Sequence, residues 1–83
     1  MVTGVQFRGT LNPNQTQRWF TFNWSAANHV LWEVMPTSAR PGNAQIDWDV
    51  ALERADPAHV TYWITITNLT TNPVQFEARY AIP

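Results

Sequence analysis

Two tryptophans, Trp63 and Trp19, are the residues of this sequence that best suggest binding chemistry. Apolar and polar residues alternate through segment 60–82, and Trp63 falls on the polar side of that alternation. Trp19 is likewise out of phase with the other aromatic residues of segment 18–24. An exposed indole ring can stack on the apolar face of a sugar ring while neighbouring polar groups bind its hydroxyls. We therefore predict that both tryptophans face solvent and bind a neutral glycan.

The polar neighbours of these tryptophans and one irregular loop complete the candidate site. The neighbours are asparagine and threonine side chains on the same strand faces. The loop, residues 36–44, contains two prolines and a glycine, and loops carry binding residues more often than strands do. The predicted ligand-binding or interface residues are Trp19, Trp63, Asn23, Thr61, Thr65, Arg40 and Asn43.

Catalytic chemistry has few candidate residues here. Cysteine and lysine are absent, and neither Ser25 nor Ser38 lies in a G-x-S-x-G motif that would present a nucleophile. His29 and His59 each open a predicted strand beside a turn, where histidine is commonly a solvent-facing polar residue. The sequence therefore predicts a protein that is not an enzyme.

Three acidic residues, Asp47, Asp49 and Glu53, share one face of a predicted strand. Adjacent positions on one strand face are about 7 Å apart, whereas calcium needs six to eight oxygen ligands at about 2.5 Å. One strand cannot supply them, even with Asp56 from the following turn. We predict either a solvated acidic face or ion pairs across strands with Arg79 or Arg54, no metal site and no cofactor.

The composition argues against partners that carry phosphate. The chain has 83 residues, enough for one domain, of which 13% are charged, and its net charge is −1. Nucleic acids and anionic lipids are bound through basic patches, which five dispersed arginines do not form. No apolar run approaches the roughly 18–20 residues of a membrane helix. We predict no nucleic-acid binding and no membrane insertion.

Six stretches of alternating apolar and polar residues predict an all-β protein. Short turns rich in proline, asparagine and glycine separate them, and no stretch has the period of a helix. We predict a single domain over residues 1–83, a small antiparallel β-sandwich of about six strands, with a small barrel as the alternative. The predicted core consists of Trp24, Trp32, Trp48, Phe22, Ile64, Phe76 and Tyr80.

Two segments resemble known families of β-sandwich modules. Residues 60–74, VTYWITITNLTTNPV, resemble the penultimate strand and turn of bacterial extracellular immunoglobulin-like modules. Residues 9–22, GTLNPNQTQRWFTF, are similar to strands of the pre-peptidase C-terminal domains carried by secreted enzymes. These resemblances imply a binding or accessory role and offer no catalytic motif. They favour an extracellular or cell-surface location, although the first residues lack a secretory signal and the absence of cysteine leaves the compartment open.

A second hypothesis assigns the same aromatic residues to self-association. Hydrophobic residues make up 45% of the chain, and no lysine protects its edge strands. Such a surface is typical of a subunit in a homo-oligomer, with Trp63, Trp19, Leu31 and Met35 as interface residues. The hypotheses are compatible, because a small lectin gains avidity from multivalency.

Overall fold

The computed structural model describes every residue from Met1 to Pro83, in six β-strands without a helix. The strands are β1 (Val2–Leu11), β2 (Thr16–Ser25), β3 (Leu31–Pro36), β4 (Ile46–Arg54), β5 (His59–Asn68) and β6 (Val74–Ile82). Sheet A has the order β1-β6-β3 and sheet B the order β2-β5-β4, and all pairs are antiparallel. The two sheets pack face to face, which confirms the predicted small β-sandwich.

The core lies between the sheets and is built mainly by the two central strands, β5 and β6. Its fully buried cluster consists of Leu11, Val34, Ile64, Ile66 and Phe76. An adjoining cluster of half-buried and buried rings, with centroids 5.2 to 6.1 Å apart, contains Trp24, Trp32, Tyr62 and Tyr80. The inner faces predicted for β5 and β6 are confirmed, because their strict alternation leaves one face apolar throughout.

The facing of β2 is opposite to the prediction over most of its length. A β-bulge interrupts its pairing with β5 between Thr21 and Trp24, and Asn23 in this bulge has a φ of 65°. A bulge adds one residue and so reverses the alternation beyond it. Trp24 faces inward as predicted, but for the residues before the bulge the alternation of inward and outward side chains is the opposite of the predicted one. Trp19 is therefore half-buried against the core, and Phe22, predicted to be buried, is 61% exposed.

A second bulge interrupts β1 between Val5 and Phe7. It places Val5 on the outer face, although the alternation predicted that Val5 and Phe7 point the same way. The bulged residue, Gln6, reaches sheet B, where its Nε2 donates to Thr21 Oγ1 at 3.1 Å. The same hydroxyl accepts a bond from Trp24 Nε1 at 3.0 Å, so one buried threonine joins the two bulged strands.

Sheet A covers β4 incompletely. The inner residues of β4 alternate as predicted, and Trp48 lies opposite Ile66. However, β3, its nearest neighbour in sheet A, has six residues against nine in β4. Trp48 and Leu52 are consequently 39% and 62% exposed. Trp48 borders the core, in contrast to the prediction that it lies inside.

Asn68 connects two turns at one end of the sandwich. Its Nδ2 donates to the carbonyl oxygens of Leu11, Asn12 and Asn72 at 3.3, 3.0 and 2.7 Å. Its Oδ1 accepts bonds from the backbone N–H and the hydroxyl of Thr70. The side chain is almost fully buried, so these carbonyls depend on it as a donor.

Candidate functional site

Three aromatic side chains lie together on the outer face of sheet B. Phe20 and Trp63 are directly opposite on β2 and β5, with ring centroids 5.0 Å apart and ring planes tilted by 35°. Phe22 follows on β2, and its ring lies 6.2 Å from that of Phe20. Phe20 is 57% exposed, close to the exposed fraction of Phe22. We call the surface formed by Phe20, Phe22 and Trp63 the aromatic platform.

The platform follows from the facing of its two strands. Strict alternation in β5 places Trp63 on the outer face between Thr61 and Thr65, as predicted. On β2, Phe20 precedes the bulge and Phe22 lies at its start, and both phenylalanines share the outer face with Trp63. The sequence pattern alone placed the two phenylalanines on the same face as Trp24, and Phe22 in the core.

Contacts on several sides hold the indole ring of Trp63. The guanidinium carbon of Arg18 lies 4.4 Å from the ring centroid, a cation–π contact. On the other neighbouring strand, Glu53 Oε1 accepts a 3.0 Å hydrogen bond from Trp63 Nε1. With Phe20 beside it, the ring is half-buried and has a defined orientation.

Polar side chains continue the outer face of sheet B beyond the platform. Arg18, Thr65 and Asp49 form one row across the three strands. Thr67 and Asp47 belong to the next row. Neither Asp49 nor Arg18 forms an ion pair or a side-chain hydrogen bond within the chain, so their polar atoms are free to bind a ligand.

The structure brings together only some of the predicted site residues. Trp63 and Thr65 lie on the outer face, and Asn23 is exposed in the bulge next to the platform. Thr61 is on the same face but only 6% exposed, so it has little surface to offer. Trp19 is not part of the site, because its ring stacks on Phe7 inside the sandwich at 5.5 Å. Its predicted outward position is wrong.

Arg40 and Asn43 are exposed but lie in a loop that joins the far end of the sheet. This loop enters β4 at Ile46, which pairs with Asn68. Asn68 is five residues from Trp63, about 17 Å along an extended strand. The loop therefore begins and ends away from the platform.

Phe20, Phe22, Arg18 and Glu53 are site residues that the sequence interpretation missed. The two phenylalanines were assigned to the wrong face because the alternation pattern did not include the bulge at Asn23. Asparagine adopts positive φ more readily than most residues, so Asn23 within an aromatic strand is the one local signal of this bulge. No comparable local signal exists for Arg18 and Glu53, because their contacts depend on strand register.

A serine, a histidine and an aspartate also meet near the β4–β5 turn. Ser25 pairs with His59, whose Nδ1 lies 3.1 Å from Asp56 Oδ1. Ser25 Oγ, however, accepts a bond from Ala27 N–H and forms none with His59. The Asp56 carboxylate accepts the backbone N–H groups of Ala58 and His59. These hydrogen bonds, that of Ala58 foremost, lower the pKa of Asp56, and they hold the turn.

No group of three or more histidine, aspartate or glutamate side chains is close enough to hold a metal ion. Asp47 and Asp49 lie directly opposite threonines on β5. His29 is exposed in the segment that precedes β3. No helix is present that is long and apolar enough to cross a membrane.

A groove of about 490 Å³ lies on the opposite side of the protein, on the outer face of sheet A. Val5 on β1 and Leu31 on β3 form its two walls. The small side chain of Ala81, on the central strand β6, leaves the space between them open. Its charged residues, Arg79 and Glu33, are 3.7 Å apart and compensate each other. We consider the platform the stronger candidate, since its rings are exposed and its nearby charges are unpaired.

Comparison of the chain with protein-family models, curated proteins and solved structures gives no match. The resemblance to immunoglobulin-like and pre-peptidase C-terminal modules therefore stays a hypothesis.

Proposed function

We propose that this protein is a non-catalytic carbohydrate-binding module that holds a neutral glycan on the aromatic platform. The observation that carries the proposal is the adjacency of Phe20, Phe22 and Trp63 on an open sheet face, where two of the rings are more than half exposed. Large rings in this position lose contact with water when a ligand covers them.

A sugar suits this surface because it has both apolar and hydroxyl faces. The C–H groups of a pyranose can stack on the phenyl rings. Its hydroxyls then meet donors and acceptors at the platform border, among them Arg18, Thr65 and Asp49. Sites that combine aromatic surface with a few placed polar groups are typical of small-ligand binding.

The charges around the platform favour a neutral glycan over an acidic one. Asp47, Asp49 and Glu53 lie on β4 along the same outer face, and Arg18 is the only basic residue in these rows. A polyanionic chain would meet an excess of negative charge there.

The fixed orientation of Trp63 also supports binding. Its ring is already held by Arg18 and Glu53, so less conformational entropy is lost when a ligand covers it. A rigid ring beside two exposed phenylalanines is a preorganised stacking surface.

A glycan array probed with the labelled protein tests the proposal. The strongest soluble oligosaccharide is then titrated by calorimetry against the wild type and the Trp63→Ala and Phe22→Ala variants. We expect each substitution to lower the affinity at least about tenfold, as for central residues of an interface. Both variants should retain the fold, because their side chains lie outside the core.

Leu31→Ala is the matched control, since Leu31 is 62% exposed on the outer face of sheet A. We expect its affinity to equal that of the wild type. An array without any bound neutral glycan would refute the proposal. Binding that survives both platform substitutions would refute the platform as the site.

Self-association through the platform is the second candidate function. Phe20 and Phe22 form an exposed apolar patch, and such patches also occur at subunit interfaces. In that case Phe22→Ala should lower the mass measured by light scattering, whereas a glycan platform leaves the mass unchanged.

A further inference from the structure

The outer edge of β2 has unused backbone hydrogen-bonding groups. Asn68 N–H donates to the Gln15 carbonyl, which shows that odd-numbered positions face β5 in this ladder. In an antiparallel pair the alternate residues direct N–H and C=O to the other side. Thr16, Arg18 and Phe20 therefore present free donors and acceptors along a regular stretch that precedes the bulge.

The other three edge strands are less suited to pairing with a second chain. β4 carries Asp47, Asp49 and Glu53 on one face, so two copies of β4 would bring like charges together. β3 is short and ends at Pro36. In β1 the bulge beyond Val5 divides the edge near its middle. Of the edge strands, only β1 and β2 lack acidic residues, and the regular stretch 16–21 of β2 is longer than the stretch 7–11 of β1.

We propose that two copies of this chain pair antiparallel through β2 about a two-fold axis. In the register that places Arg18 opposite Phe20 of the second copy, the two Arg18 side chains avoid each other. Each guanidinium then lies next to a phenyl ring, a favourable neighbour for a cation. The backbone N–H and C=O groups of even-numbered β2 residues, which are unpaired in one protomer, then form hydrogen bonds between the two copies.

This pairing joins the two platforms into one surface on a six-stranded sheet. The two Trp63 residues are then separated by three strand spacings, about 14 Å across the strands. Such a surface suits an extended polysaccharide that runs across the strands better than a single sugar. The ligand part of this inference rests on the proposed function, whereas the dimer does not.

The mass in solution, measured by light scattering and sedimentation, tests the dimer directly. We expect the wild type to have twice the protomer mass of 9.5 kDa. Arg18→Pro removes the outward N–H and should yield the protomer mass, because a proline blocks edge pairing. Arg18→Ala lacks the same guanidinium but keeps the N–H, and it should remain a dimer.

Leu52→Pro is the second control, because it places a proline on the opposite edge of the same sheet. The Leu69 N–H donates to the Gln45 carbonyl, so the odd-numbered residues of β4 form the hydrogen bonds with β5. Leu52 is even-numbered, and its N–H therefore points away from β5. Leu52→Pro should stay dimeric. Circular dichroism checks that all three variants are folded.

A wild type that stays at the protomer mass at every concentration overturns the proposal. A dimer that survives in folded Arg18→Pro, or dissociates equally in Arg18→Ala, also overturns it. If Arg18→Pro does not fold, Phe20→Pro with Phe20→Ala provides the same comparison, because Phe20 is the residue that pairs with Arg18 in this register. A dimer that binds no glycan would refute the proposed function alone.

Calorimetry with a length series of the bound glycan tests the joined surface. In the Arg18→Ala dimer, long chains should bind more tightly than short ones by tenfold or more through multivalency. The Arg18→Pro protomer should show a smaller gain. Equal length dependence in the two variants would contradict a joined platform.

Discussion

Glu53 accepts a hydrogen bond from the indole N–H of Trp63, the single tryptophan on the outer face of the sandwich. The two residues lie on adjacent strands and diagonally across the ladder, because Glu53 pairs with Thr61. An acidic residue that the sequence pattern assigns to solvent thus orients the ring at the centre of the candidate site.

Glu53→Ala should weaken glycan binding by about 1 kcal/mol, or about fivefold, because the indole ring loses a partner that fixes its orientation. Asp47→Ala is the control, since Asp47 lies on the same strand face without contacting Trp63. Calorimetric titration of both variants measures the difference. Equal affinity of Glu53→Ala and Asp47→Ala would show that this hydrogen bond does not matter for binding.

Phe76→Ala should destabilise the fold by about 3–5 kcal/mol, because it opens a cavity at the centre of the core. Phe76 is 1% exposed. Trp48→Ala should cost less, since Trp48 is already 39% exposed. Urea unfolding curves measure both free energies. A Trp48→Ala variant as unstable as Phe76→Ala would mean that β4 is better covered than the structure indicates.

Asn68→Ala should destabilise the protein by about 2–4 kcal/mol, because the buried bond to the Leu11 carbonyl and the partly buried bonds to the Asn12 and Asn72 carbonyls are lost. Asn68→Asp should be at least as unstable, since it directs carboxylate oxygens at the carbonyls of Leu11, Asn12 and Asn72. Asn43→Ala, in the exposed loop, should change stability by less than about 0.5 kcal/mol. Thermal unfolding compares the three variants, and a wild-type-like Asn68→Asp would contradict the assigned hydrogen bonds.

The stability of the β4–β5 turn should depend on pH below the ordinary range of a carboxylate. The pKa of Asp56 lies below its ordinary value of 3.8, chiefly because the backbone N–H of Ala58 donates to the charged form. A carboxylate whose pKa is lower in the folded state stabilises the fold at pH values above its unfolded-state pKa. This stabilisation is lost as the pH falls through the folded-state pKa.

Asp56→Asn removes this titration, so the wild type should be more stable than Asp56→Asn at neutral pH. The difference should shrink as the solution is acidified below the pKa of the unfolded aspartate. Urea unfolding at a series of pH values measures it. A difference that stays constant down to strongly acidic pH would show that Asp56 does not contribute in this way.

The sequence by itself determined the number and kind of secondary-structure elements. In β5 and β6 it also determined which residues face the core, because a central strand buries one complete face and its alternation is unbroken. The outward position of Trp63 follows from the same rule. Local hydrophobic pattern was sufficient wherever pairing was regular.

Only the tertiary structure decided the facing of two edge strands, β1 and β2. The bulges in β1 and β2 shift the pairing by one residue, which moves Trp19 inside and Phe22 outside. A bulge is stabilised by partners distant in sequence, as Gln6 and Thr21 show, so the alternation of one strand does not specify it. The exposure of Trp48 likewise depends on the length of a strand in the other sheet.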